Sequence, residues 1–159
     1  MPQSQINVTP KSNLNLDRFL PYRLNRLAHN VGLSLSTIYT DAYGINRSQW
    51  RVMALLSQHQ QLTAKQICAM TYMDKVKVSR AVSGLVTMGH LQTAADATDK
   101  RVVLLAHSAQ GASLFAQMVP QVQAWEDDFL KKLTTKEVEQ LAKIIDKLDP
   151  SSANAPLCR

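Results

Sequence analysis

Between Asp74 and Met88 the chain reads DKVKVSRAVSGLVTM. At about 100° per residue, Val78, Ala81, Val82, Leu85 and Val86 form an apolar stripe. Val76, Arg80, Ser83, Gly84 and Thr87 point the other way, flanked by Lys77 and Ser79. This second face is small and basic, with no acidic side chain after Asp74. Small residues let a helix backbone approach base edges, and long basic side chains reach phosphates and guanines. Lys75, Lys77, Ser79, Arg80 and Ser83 are therefore candidate DNA contacts, with Arg80 the expected guanine reader. Thr63 and Lys65, just upstream, are placed for phosphates. An ordinary amphipathic surface helix would show the same stripe. The ribbon after this helix favours DNA: His90 to Ala95 and Val102 to Ala106 read as strands, and the turn between them projects Lys100 and Arg101. Negative potential in a minor groove attracts such an arginine; Lys100 is either a second contact or merely solvated.

Other chemistries lack their residues. The sequence has no G-x-S-x-G, Walker loop, G-x-G-x-x-G or H-E-x-x-H motif, so no enzyme is expected. His29, His59, His90 and His107 are isolated, and Cys68 and Cys158 are unpaired in spacing. Neither a metal site nor a cofactor is expected. A redox sensor would have to use Cys68, for which a buried, inert thiol is the simpler expectation.

The elements that position these residues are marked by their ends. Asp74 is a good N-cap, and Gly89 can take the left-handed conformation that closes a helix. Asn46 with Gln49, Thr63 with Gln66, and Thr134 with Glu137 are capping boxes, the last accompanied by a staple between Leu133 and Val138. They start helices at Arg47, after Thr63, and at Thr135. From Leu16 to Tyr43 apolar residues recur at steps of three and four, which predicts one long helix with Pro21 in its first turns. A further helix is expected from Ala109, capped by Ser108, to about Lys132 and bent at Pro120. The fold class is mainly α with a small two-stranded wing: a winged helix-turn-helix over residues 46–107, with dimerisation helices at 15–43 and 109–148. Residues 1–14 read as a flexible arm and 149–159 as a disordered tail.

A chain of 159 residues suits one domain. Its net charge of +6 is unevenly spread: residues 1–101 hold 12 Lys and Arg against 5 Asp and Glu, the remainder 6 against 7. The surplus lies with the winged helix, so a polyanion is the expected partner, and no long basic amphipathic helix points to a membrane. The polar start MPQSQINVTPKSN has no basic-then-apolar signal pattern, and a cytoplasmic protein is expected. The outer helices come from both ends of the chain and each has a wide apolar face. A homodimer would cover them, and it would present two recognition helices to an inverted repeat in double-stranded DNA.

Taken together, QWRVMALL (Gln49 to Leu56), LTAKQIC (Leu62 to Cys68), MDKVKVSRAVSGLVTMGHL (Met73 to Leu91), Asp99-x-Arg101 and Ser108-x-x-Gly111 resemble the MarR family of bacterial transcription regulators. The likeness runs from about Leu16 to Leu148. His107 departs from it, standing where the family usually has leucine. The resemblance implies steric repression by an intertwined dimer, a minor-groove role for Arg101, and a wing geometry held by Asp99. It also implies a small aromatic effector bound where the dimerisation helices meet the DNA-binding lobe. Tyr22, Arg23, Arg26, His29, Asn30, Ser36, Tyr39, Trp50 and Arg51 are the candidates there, against the alternative that they form structural ion pairs and core. The opening LDRFLPYRLNRL with MDKVKVSRAV resembles the branch tied to aromatic-acid catabolism, which implies a phenolic or hydroxycinnamic acid, or its thioester. A winged helix used only for protein contacts is the remaining alternative.

Overall fold

A computed structural model describes residues 14–149; most of the expected arm and tail, including Pro150 and Cys158, lie outside them. The chain divides into two compact units, Met1–Ser34 and Leu35–Arg159. Helix α1 (Leu20–Tyr43) begins in the first and ends in the second.

In the first unit the helix starts four residues later than the apolar spacing suggests. Asn15 to Arg18 form a turn, with Asp17 N–H donating to Asn15 Oδ1 at 3.0 Å and Arg18 N–H to Asn15 O at 3.1 Å. A helix running from Leu16 would require Pro21 to donate to Asp17, and proline has no N–H. Near the helix start the same residue costs nothing. Leu16, Phe19, Leu20, Leu24, Leu27 and Leu33 are exposed within this unit.

The second unit holds the end of α1, α2 (Arg47–Gln58), β1 (Leu62–Thr63), α3 (Ala64–Thr71), α4 (Lys75–Thr87), β2 (Leu91–Ala95), β3 (Val103–His107), α5 (Ala109–Leu130) and α6 (Thr135–Leu148). All three capping boxes form, with both reciprocal bonds in each. Gly44 and Gly89 end α1 and α4 at φ +66° and +76°, where a side chain would be strained. The tight turn between α3 and α4 is made by Tyr72, also left-handed at φ +54°.

The expected two-stranded ribbon is a three-stranded antiparallel sheet, ordered β1-β3-β2. Leu62 and Thr63 pair with Leu105 and Leu104, while Leu91 to Ala95 pair with His107 back to Val103. This ties the base of the wing to the entrance of α3. Beneath the sheet lies a core of Ile45, Val52, Met53, Leu56, Ile67, Val78, Leu85 and Met118. The α4 stripe enters it through Val78, Ala81 and Leu85, but Val86 stays exposed. Gly84 also departs from expectation. It faces α2, where an added Cβ would come 2.7 Å from Gln49 Nε2. Gln49 is itself buried against α4, and its carboxamide oxygen accepts Asn46 N–H at 2.9 Å to close the capping box.

His107 fits the wing base by replacing dispersion contact with a hydrogen bond. Its Nε2–H donates to Met53 O at 2.9 Å, and the ring tilts against Phe115 with centroids 5.7 Å apart. Helix α5 passes through Pro120 and ends at Leu130, slightly before the expected Lys132. No residue of α6 is buried. Among the described residues no helix is long and apolar enough to cross a membrane.

Candidate nucleic-acid interface

A groove of about 690 Å³ opens between α3, α4 and the wing, lined by Ala64, Lys65, Cys68, Lys75, Ser79, Val82, Ser83, Thr93, Val103 and Leu105. Four of the expected DNA contacts, Lys65, Lys75, Ser79 and Ser83, are thus brought together from two helices. Their arrangement comes from local signals. Asp74 Oδ1 accepts Lys77 N–H at 2.8 Å, which starts α4 so that Lys75, Ser79 and Ser83 recur along one side. The same bond, with the Lys77 side chain, holds the Asp74 carboxyl below its usual range.

Lys77 and Arg80 lie on the other flank of α4. With Asn46, Arg47, Ser48 and Ala81 they border a separate recess of about 380 Å³. Thr63 is absorbed by the fold rather than presented to a ligand. Its hydroxyl donates to Gln66 Oε1 at 2.9 Å and accepts Gln66 N–H at 3.2 Å. Cys68, expected to be buried, is half-buried on the groove wall, because α3 turns Ile67 rather than its neighbour into the core.

At the wing tip Lys100 and Arg101 are exposed, and the turn that carries them is fixed by two carboxylates. Asp99 Oδ1 accepts Arg101 N–H at 2.9 Å. Asp96, which carries no role in the sequence reading, does more: its Oδ1 accepts Thr98 N–H at 2.8 Å, Thr98 O–H at 2.5 Å and Asp99 N–H at 3.0 Å. Asp-x-Thr-Asp is an Asx-turn pattern, so the signal is present in the sequence. The Thr98 hydroxyl, followed by the backbone N–H groups, holds the Asp96 carboxyl below its ordinary value. A depressed carboxyl contributes stability above its unfolded pKa and loses it only as pH falls through the lower folded value. The turn therefore keeps this support throughout the neutral range.

The effector candidates fall in both units. Tyr22, Arg23, Arg26, His29 and Asn30 are exposed along α1 in the first unit. There Arg26 sits 3.3 Å from Asp17 and lies over the Tyr22 ring, while Arg23, Arg26 and Asn30 border a recess of about 420 Å³. In the second unit Tyr39 is a core residue, 1% exposed and stacked on Trp50 at 5.2 Å, which in turn stacks on Phe115. Burial raises its hydroxyl pKa. Ser36 is half-buried. Trp50 and Arg51 line a recess of about 370 Å³ with Leu55, Gln58 and Met70. Among the described residues no group of three or more His, Cys, Asp or Glu is placed to hold a metal.

The model of the MarR family matches residues 43–102, from the end of α1 through the wing tip. Over this stretch the chain is similar to the MarR family. Members of this family are transcription regulators rather than enzymes. The described fold agrees with solved relatives along most of the chain. A MarR/EmrR family transcriptional regulator from Acinetobacter sp. ADP1 is 26% identical, with a TM-score of 0.77 over 89% of this chain and 100% of that one. A cysteine-to-serine mutant of MarR from E. coli, solved with operator DNA, is 24% identical, with a TM-score of 0.77 over 87% and 100%. BpsR from Bordetella bronchiseptica, whose DNA binding is regulated by 6-hydroxynicotinic acid, shares the fold at 18% identity, with a TM-score of 0.77 over 90% and 100%. No curated protein sequence matches the chain.

Proposed function

We propose that this protein is a MarR-family member, a cytoplasmic repressor that binds an inverted repeat as a homodimer and is released by a small aromatic acid. The observation that carries the DNA reading is the groove between α3, α4 and the wing. It collects Lys65, Lys75, Ser79 and Ser83 beside a hairpin whose ordered tip presents Lys100 and Arg101. In this reading α4 enters a major groove, Ser79 and Ser83 allow close approach, the lysines neutralise phosphates, and Arg101 reaches the adjacent minor groove. Asp99 and Asp96 orient that arginine by fixing the backbone of the turn that carries it. The likeness to MarR solved on operator DNA supports the same docking.

Arg101→Ala is expected to weaken operator binding about tenfold, in line with the ~1–3 kcal/mol of a good groove contact, while leaving the melting temperature unchanged. A mobility-shift titration at fixed salt measures this; equal affinity of mutant and wild type would remove Arg101 from the interface.

The homodimer is supported by the apolar faces of α1 and α6, which lack cover within their own units. For the effector, the BpsR likeness supports an aromatic acid as a class, and the recess lined by Trp50, Leu55 and Met70 sets apolar walls beside the Arg51 guanidinium, which suits a carboxylate. Phenolic and hydroxycinnamic acids and their thioesters are the first compounds to test, by thermal shift and then by release of bound DNA.

A further inference from the structure

We infer that Arg47, Lys77 and Arg80 form a binding site for a DNA backbone phosphate, distinct from the groove between α3, α4 and the wing. The inference rests on the DNA reading above and extends its footprint to α2. Arg47 is the first residue of α2 and exposed; Lys77 and Arg80 are exposed on α4, and the three border one recess together with Ser48. No acidic side chain lines it. Lys77 Nζ lies 3.2 Å from the Asp74 carboxylate, in a pair whose partners are both more than half exposed and which is correspondingly weak. Arg47 and Arg80 make no ion pair among the described residues.

The backbone at the start of α2 is not the attracting group, since Asn46 Oδ1 already accepts the N–H groups of Ser48 and Gln49 at 3.0 Å. The positive charge belongs to side chains, and two of the three are guanidiniums, whose planar fork matches phosphate oxygens. Lys75, Ser79 and Ser83 line the groove on one flank of α4, while Lys77, Arg80 and Ala81 line the recess on the opposite flank. A helix lying in a major groove has a sugar-phosphate strand on each side. The clamp meets one of them, which moves Arg80 from the guanine-reading role expected from sequence to a positioning role.

The test uses the full chain and a duplex that the wild-type protein selects from a randomised pool, titrated from ~50 to ~200 mM salt. Arg47→Ala should lower the slope of log K against log salt by about one unit per half-site, weaken binding to selected and unrelated duplexes alike, and leave base preference intact. Arg80→Ala should behave the same way, and Arg47→Lys should retain the slope. Arg47 is exposed and caps nothing, so its variants should melt as wild type does. An unchanged slope in Arg47→Ala would overturn the site while leaving the DNA reading in place. So would an Arg80→Ala protein that loses preference at one base pair with its slope intact. Failure of the wild type to select any duplex would overturn both.

Discussion

Replacing Gly111 with alanine should destabilise the protein by roughly 3 kcal/mol or more, the upper end of what overpacking costs, although helix propensity alone favours alanine by ~1 kcal/mol. The two effects oppose each other, and geometry decides. Gly111 lies in the first turn of α5, against the strand end that leads out of α4. A Cβ there would sit 1.9 Å from the carbonyl oxygen of His90 and 2.7 Å from its carbonyl carbon. Ordinary carbon–oxygen contacts lie near ~3.3–3.6 Å, so more than an ångström of backbone movement is required. Little is free to give. His90 is buried, its N–H donates to Leu85 O at 2.8 Å, and its carbonyl accepts Ser108 N–H at 3.1 Å. Ser108 in turn donates its hydroxyl to Gly89 O at 2.6 Å and accepts Gly111 N–H at 2.9 Å. The Ser108-x-x-Gly111 pair is thus a weld between the end of α4, the base of the wing and the start of α5. Gly44→Ala provides the comparison. Nothing lies within 4 Å of its added Cβ, so only the strain of φ +66° is felt, costing about 1 kcal/mol. Urea or thermal unfolding of both variants would measure the gap. A Gly111→Ala protein as stable as Gly44→Ala would show that the contact yields.

The features legible in the sequence are the local ones. Asn46 with Gln49, Thr63 with Gln66, and Thr134 with Glu137 act within one turn of helix, and all three boxes form at the expected places. The order of helices around the wing comes from these ends and from Gly89. Pairings between distant segments are not legible. Strand β1 is only two residues long and exists because Leu62 meets Leu105, 43 positions later; no propensity in Leu-Thr announces it. Leu16 carries the apolar spacing of a helix, and the Asn15 side chain with Pro21 overrides it.

The candidate site divides along the same line. Lys65, Lys75, Ser79 and Ser83 share a groove because α3 and α4 are adjacent in the chain and joined by a turn of fixed shape. Arg47 is thirty residues from Lys77, and its place beside that lysine depends on how α2 and α4 pack, so composition gives it no prominence. Tyr39 is ambiguous in the sequence for a related reason. A tyrosine, with an apolar ring and a polar tip, can face a ligand or a core, and here Trp50 and Phe115 complete a stack that only the tertiary fold assembles.

Substituting Ile144 and Leu148 of α6 with glutamate should convert a dimer into monomers and lower affinity for an inverted repeat by roughly 10²–10⁴-fold, the usual gain from joining two binding modules. Helix α6 is strongly amphipathic, yet within its own unit none of its residues is fully buried: Leu141, Ile144, Ile145 and Leu148 are 36%, 52%, 38% and 64% exposed. Fully burying each such side chain is worth ~1.5–3 kcal/mol, so the face gains substantially from a partner. A charged carboxylate placed in its midst would have to be desolvated on association, which costs more than the apolar contact returned. Local stability should change little, because no described core residue belongs to α6 and its N-terminal capping box, Thr134 with Glu137, lies two turns away. Light scattering and a mobility shift on the same preparations separate the possible results. A monomer that still binds a single half-site weakly is the expected one, since the groove between α3, α4 and the wing is built entirely within one chain. A double mutant that remains dimeric and binds normally would place the interface elsewhere. A wild type that is already monomeric would leave α6 without cover and remove the twofold axis on which the inverted repeat depends.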